Sequence, residues 1–293
     1  MEKEEKKGKR ARVKLIVSMV VFGTIGMFVR EIALSSGEIA LYRAVLAVLL
    51  LLGYFGGRRS KLQLSSIRKE LFFLLLSGAA MGMNWILLFE AYQYTTISVA
   101  TLSYYVAPVI VTILCPFLFH EKLTKKQILC FVMSTVGVVL IIGIGNLYGK
   151  GTGLTGVLFG LGAAVFYAAV ILLNKFIKGV SGVERTFLQF LAAIMVLFPY
   201  VACTSGFHLL TLSGKGLIHL LIVGLFHTGM TYCLYFSSLK ELRGQEAAIL
   251  SYIDPMVAVV ISVLVLGERI TFSQIFGGIL ILGFSIWNET ADR

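Results

Sequence analysis

Charge is scarce in this chain. Lys, Arg, Asp and Glu together supply 14% of its 293 residues, where a soluble domain carries roughly 25%. Hydrophobic residues reach 58% and the mean hydropathy is +0.90. Too little polar surface remains to wrap a water-soluble core, so lipid must solvate most of the chain. The four cysteines, Cys115, Cys130, Cys203 and Cys233, have no paired spacing and lie in or beside apolar runs. That excludes a disulfide framework or zinc site and leaves them as buried small hydrophobes. Gly-x-x-x-x-Gly-Lys-[Ser/Thr] is absent, so no ATP-binding loop is encoded. His-Glu-x-x-His and paired aspartates within apolar runs are absent too, which removes the usual equipment of an intramembrane enzyme. No cofactor or metal is expected.

The net charge of +11 does not form a nucleic-acid patch. Basic residues collect in the first dozen positions and in short breaks between apolar runs, as topology signals do. A span needs about 20 apolar residues at about 1.5 Å per residue. Ten intervals satisfy this: 13–29, 38–57, 71–92, 97–119, 125–144, 153–175, 183–203, 216–239, 245–267 and 272–288. No small-residue cleavage site follows the charged start, so the first run is expected to remain as a span. Arg58, Arg59, Lys61, Arg68, Lys69, Lys122, Lys125, Lys126, Lys175, Lys178, Arg185, Lys240 and Arg243 fall on the side of the tail. Arg30, Lys150, Lys215 and Arg269 fall on the other. This asymmetry predicts ten spans with both ends cytoplasmic, and the short loops, with no organelle-targeting region, suit a cell (inner) membrane.

The chain also repeats itself. An offset of 147 aligns Gly82 and Met83 with Gly229 and Met230, and runs without gaps to Ile128 and Ile275. Ala100, Tyr105 and Pro108 return as Ala247, Tyr252 and Pro255, and EKLTKKQI from Glu121 returns as ERITFSQI from Glu268. Five spans per repeat is an odd number, so the second copy must enter the membrane inverted, the arrangement of secondary transporters. The expected organisation is a basic tail at 1–12, one five-helix repeat at 13–148 and another at 149–293.

A proline-bearing span, then E-[KR]-[LI]-T-x-x-Q-I, then an apolar span, twice over, resembles the EamA-type half of the drug/metabolite transporter superfamily. The resemblance covers essentially the whole chain and implies a ten-span carrier of small metabolites, often an exporter of amino acids or related compounds. His120 and Cys130 depart from their second-copy partners, Gly267 and Gly277. The expected fold class is therefore all-α, polytopic, with two inverted five-helix repeats. Its partners are a small solute and the bilayer, with no nucleic acid, in a monomer or homodimer.

Candidate site residues follow from cost. An aspartate near mid-membrane costs about 3 kcal/mol to insert and should face a cavity or a partner. Asp254 is such a residue, and its repeat counterpart is Ala107. His227 lies at similar depth opposite Ala80. Both are candidates for proton coupling or recognition of a cationic group, against a structural hydrogen bond. Pro108 and Pro255 should free the carbonyls of Tyr104 and Ser251 and bend their spans as hinges. Ser103, Tyr104, Tyr105, Ser251 and Tyr252 stand ready as polar neighbours, and Asn84, Trp85, Tyr167 and Gln189 as further cavity liners. Arg43 either holds a substrate carboxylate or, more in keeping with its depth, pairs with Glu38 or Glu90. Thr124 with Gln127, and Thr271 with Gln274, should form capping boxes, with Glu121 and Glu268 beside Lys122 and Arg269. Gly78 with Gly82 and Gly156 with Gly160 suit close helix approach.

These features favour a secondary, non-ATP carrier working by alternating access, with proton coupling as one option. Transport of drugs, vitamins or nucleoside-like cofactors stays open as an alternative, and an intramembrane enzyme or a channel is the competing class.

Overall fold

A computed structural model describes residues 2–58, 64–119, 124–142, 152–177, 179–180, 182–239 and 250–290. Among these the chain is helical throughout its regular structure, without strands. In order come α1 (Glu2–Gly23), α2 (Ile25–Val29), α3 (Ser36–Arg58), α4 (Leu64–Tyr94), α5 (Ile97–Tyr104), α6 (Ala107–Phe119) and α7 (Lys125–Ile142). The second half holds α8 (Thr152–Phe176), α9 (Gly182–Cys203), a short 3-10 turn (Leu209–Thr211), α10 (Gly214–Leu221), a π-helical stretch (Ile222–Met230), α11 (Thr231–Leu239), α12 (Ile253–Leu264) and α13 (Phe272–Thr290).

Six helical stretches are long and apolar enough to cross a bilayer: Gly8–Val29, Ser36–Gly56, Ile67–Tyr94, Gly153–Asn174, Gly182–Cys203 and Gly214–Tyr235. Ile97–Val111, Ile253–Leu264 and Phe272–Phe284 are shorter apolar helices. Helices satisfy every backbone group internally, which is why an apolar chain in lipid adopts them. Large apolar side chains cover the outside: Phe72 is 69% exposed, Met195 67% and Phe276 65%. Water would penalise such a surface, and lipid does not. The protein is a multi-pass membrane protein.

Both expected capping boxes form. Thr124 N donates to Gln127 Oε1 at 2.8 Å and Gln127 N to Thr124 Oγ1 at 3.2 Å. Thr271 N donates to Gln274 Oε1 at 2.9 Å and Gln274 N to Thr271 Oγ1 at 3.3 Å. These reciprocal bonds satisfy two orphan donors at the starts of α7 and α13. Glu121 and Lys122 lie outside the described residues. Glu268 does not rest beside Arg269 as expected; it binds Arg30, the Ser262 hydroxyl and the Ile97 amide. Gly267 makes this possible, because its φ of +66° turns the chain back over the end of α12.

The helices pack in a reciprocal pattern. α4 lies along α8 and α9, α3 along α9 and the π-helical stretch, and α1 along α11 and α12, while α5 meets α8. α7 and α13 form a pair of their own, with Gly137 set against the Gly277 carbonyl. Small residues make the close approaches. A Cβ on Gly78 would lie 2.4 Å from Ala192 Cβ and 2.5 Å from the Gln189 carbonyl, and one on Gly156 would lie 2.6 Å from Thr95. Gly160 approaches Ser103 and the Ala100 carbonyl, and Gly82 approaches Leu197. Gly78→Leu is therefore expected to destabilise the protein by about 2–3 kcal/mol through overpacking. Gly53→Leu, which meets nothing within 4 Å, should be neutral. Thermal unfolding of the two variants in detergent checks the contrast. Of the cysteines, Cys130 is buried, Cys233 half-buried and Cys203 exposed at the end of α9, so the last is not the buried residue expected.

Candidate functional site

Two helices break at the same place in the repeat. The chain leaves helical register at Tyr105, between α5 and α6, with φ −75° and ψ 10°. It does so again at Tyr252, just before α12, with φ −71° and ψ −6°. Each tyrosine precedes its proline, Pro108 or Pro255, by three positions. Proline lacks the donor that would hold the carbonyl four residues earlier, so the preceding turn loosens. The carbonyl freed by Pro255 is that of Ser251, and the Tyr105 hydroxyl oxygen lies 3.4 Å from it. The two breaks thus meet across the repeat boundary, with the Tyr105 and Tyr252 rings 6.1 Å apart. Pro108 sits in the first turn of α6, its side chain outside those described.

Against the breaks lies a cavity of about 200 Å³. Asp254, in the first turn of α12, enters its wall beside Ser251. The Tyr105 hydroxyl donates to Asp254 Oδ2 at 2.6 Å. Tyr104 stacks on Tyr167 with centroids 5.1 Å apart, and both rings line the space. Asn84 lines it while its amide donates to the Ala163 carbonyl at 2.7 Å, tying α4 to α8. Gln189 does the same for α9, donating to Ser77 and Asn174 at 2.8 Å each. Arg43 and Trp85 complete the polar and aromatic lining, together with Tyr92, Thr101, Tyr232 and Tyr235.

Arg43 does not form the ion pair expected of it. Glu38 accepts instead from Ser35 and from the His208 amide at 2.6 Å, and no described contact joins Arg43 to Glu90. The Arg43 Nε donates to Thr228 Oγ1 at 2.9 Å. Its guanidinium carbon stands 4.3 Å from the Trp85 ring centre and 5.2 Å from that of Phe89. Those rings supply the cation–π surface that a buried guanidinium favours.

His227 and Tyr252 stand apart from the cavity lining. His227 is 1% exposed, with Nε2 3.0 Å from Thr24 Oγ1 and Nδ1 3.3 Å from the Ile222 carbonyl. It braces the break between α1 and α2 against the π-helical stretch and packs on Phe28. Tyr252 is buried against Tyr105. Tyr92, Thr101, Tyr232, Tyr235 and Thr228 had drawn no attention in the sequence. The repeat could have found two of them, since Trp85 and Leu88 shifted by 147 become Tyr232 and Tyr235. Among the described residues no group of three His, Cys, Asp or Glu side chains is placed to hold a metal ion.

The arrangement gathers a guanidinium, a carboxylate, side-chain amides and several aromatic rings around one cavity. A Bacillus subtilis (strain 168) protein named an uncharacterized transporter, YxxF, is 31% identical over 277 residues, covering 92% of this chain and 86% of its own. An Archaeoglobus fulgidus uncharacterized transporter is 28% identical over 281 residues, covering 94% and 95%. A Salmonella typhimurium protein named a probable amino-acid metabolite efflux pump is 25% identical over 175 residues, covering 57% and 58%. A solved crystal structure, 14% identical, shares the fold with a TM-score of 0.66 across 94% of this chain and 95% of that one. The EamA-like transporter family matches the chain twice, over residues 11–143 and 154–288. The protein belongs to that family: it is a transporter, not an enzyme.

Proposed function

We propose that this protein is a secondary carrier that exports amino acids or related small metabolites by alternating access, with ten spans in two inverted five-helix repeats. The observation that carries the reading is the origin of the cavity wall. Trp85 and Tyr232, Leu88 and Tyr235, and Tyr104 and Ser251 all line it, and each pair is one repeat position seen twice at an offset of 147. The helix packing obeys the same exchange. Swapping the halves turns α4 on α8 into α11 on α1, α3 on the π-helical stretch into α9 on α4, and α6 on α8 into α12 on α1. A cavity built twice over by one design can open first to one side and then to the other by exchanging the conformations of its halves.

Asp254 breaks the symmetry, with Ala107 as its mate. It is the group for a coupling proton or for a cationic group of the solute. The end of the bundle away from the tail is closed by a lock. Arg30 reaches Glu268 and donates to the carbonyls of Thr95 at 2.6 Å and Tyr92 at 3.2 Å. The N- and C-termini then lie in the cytoplasm, and the membrane is the cell (inner) membrane. The amino-acid reading draws on the Salmonella relative's name and on a cavity that holds both a cation and a carboxylate.

Reconstitution tests the carrier directly. Proteoliposomes preloaded with an unlabelled amino acid should take up the labelled one transiently against its gradient, and saturably. Linear, non-exchanging flux would mark a channel and overturn the proposal.

A further inference from the structure

A guanidinium in the interior of a membrane protein needs a counter-charge or a full set of acceptors. Arg43 is 3% exposed and has neither. Among the described residues no carboxylate lies within 4.0 Å of it, and its Nε bond to Thr228 is its hydrogen bond there. Glu38 is held by Ser35 and His208, and Asp254 by Tyr105. Arg43 nevertheless borders the cavity, where Trp85 supports the flat face of its guanidinium.

The surroundings fix its orientation. Thr228 donates its own hydroxyl to the Val223 carbonyl at 2.7 Å, five residues back along the π-helical stretch. Its oxygen lone pairs are therefore turned to Arg43 Nε at 2.9 Å. With Nε occupied and one face against Trp85, the two terminal amino groups remain as a parallel pair of donors. That edge matches a planar, singly charged carboxylate, which accepts two bonds at once.

We propose that Arg43 is the carboxylate subsite of the transported solute, so that the substrates are small molecules bearing a free carboxylate. The proposal rests on the cavity being the solute path. Thr228 and Trp85 are positioning residues for it: the first holds Nε, the second the face of the fork. The solute carboxylate supplies the counter-ion the protein omits, which makes binding strong for acids and poor for their neutral derivatives.

The experiment compares acids with their amides on the purified full chain in detergent, read by thermal stabilisation across ligand concentration. The probes are the standard L-amino acids and, for each that binds, its α-carboxamide. The wild-type protein should bind the acid at least about thirtyfold more tightly than the amide. Arg43→Met should bring that ratio close to one, and Arg43→Lys should leave an intermediate ratio because the charge survives without the fork. Thr228→Val, which keeps the charge, should narrow the ratio a few-fold. An amide that binds as well as its acid to the wild type, or no stabilisation by any of these acids at millimolar concentration, overturns the proposal without need of a variant. Counterflow of a non-carboxylate solute that persists in Arg43→Met would sink the carboxylate subsite and leave the carrier reading standing.

Discussion

Asp254→Asn is expected to lower the initial rate of solute counterflow by at least about tenfold while the protein stays folded. Asparagine keeps the size of the side chain and can still accept the bond that the Tyr105 hydroxyl gives at 2.6 Å. Ala107, at the equivalent repeat position, shows that the broken helix needs no charge there to form. What the substitution removes is the ionisable carboxyl group in the cavity wall. Hydrogen bonds to charged groups contribute about 1.5–3 kcal/mol against about 1 for neutral ones, and about 1.4 kcal/mol is a factor of ten in rate. Tyr105→Phe should cost less, a few-fold, because the carboxylate remains and loses one donor. Rates normalised to monodisperse protein in vesicles, with and without an imposed pH gradient, read both effects. Under the coupling role assigned to Asp254, the asparagine variant also loses its response to the gradient. Wild-type rates with an unchanged pH profile would make this carboxylate structural.

Legibility in the sequence followed the range of the forces involved. Helical segments, capping boxes and the proline-linked breaks depend on neighbours within a turn or two, and the residues announced them. The cavity was readable through polar and aromatic groups placed inside apolar spans: Asp254, Tyr104, Tyr105, Trp85, Asn84, Tyr167, Gln189, Ser251 and Arg43 all line its wall. His227 shares the depth of Asp254, but depth along a helix does not set the direction in which a side chain points. The π-helical stretch from Ile222 to Met230 adds a residue per turn and shifts that direction. Three side-chain contacts to carbonyls five residues back, from His227, Thr228 and Thr231, accompany this altered register. No composition or periodicity marks it. The ion pair expected of Arg43 fails for a related reason. Glu38 and Glu90 were the carboxylates nearest in expected depth, yet the partner that mattered was a hydroxyl 185 positions away. Glu268 found Arg30, 238 positions distant, where its neighbour Arg269 had been expected.

That long-range pair leads to the second large effect, expected from Glu268→Gln. Glu268 gathers three partners at one end of the bundle: Arg30 from the end of α2, the Ile97 amide at the start of α5 and the Ser262 hydroxyl on α12. Through Arg30 it also holds the carbonyls of Tyr92 and Thr95 at the end of α4. Residues from both repeats are therefore joined at a point any opening of this end must separate. The Arg30 and Glu268 side chains are 29% and 11% exposed, so solvent screens the pair only in part. Lys215 and Glu31, at 71% and 48%, form an exposed contact at 2.5 Å of the kind that contributes little. Breaking a buried pair costs about 3–5 kcal/mol; discounted for the exposure of Arg30, about 2 kcal/mol is a reasonable share. At about 1.4 kcal/mol per decade, that moves the balance between closed and open states roughly thirtyfold toward opening. A cysteine at Ser251, on a background without the native cysteines, should then react faster with a membrane-impermeant maleimide added on the side of Arg30. Glu31→Gln should leave that labelling rate unchanged. Equal labelling in Glu268→Gln and its parent would show that Glu268 anchors the static fold and does not govern access to the cavity.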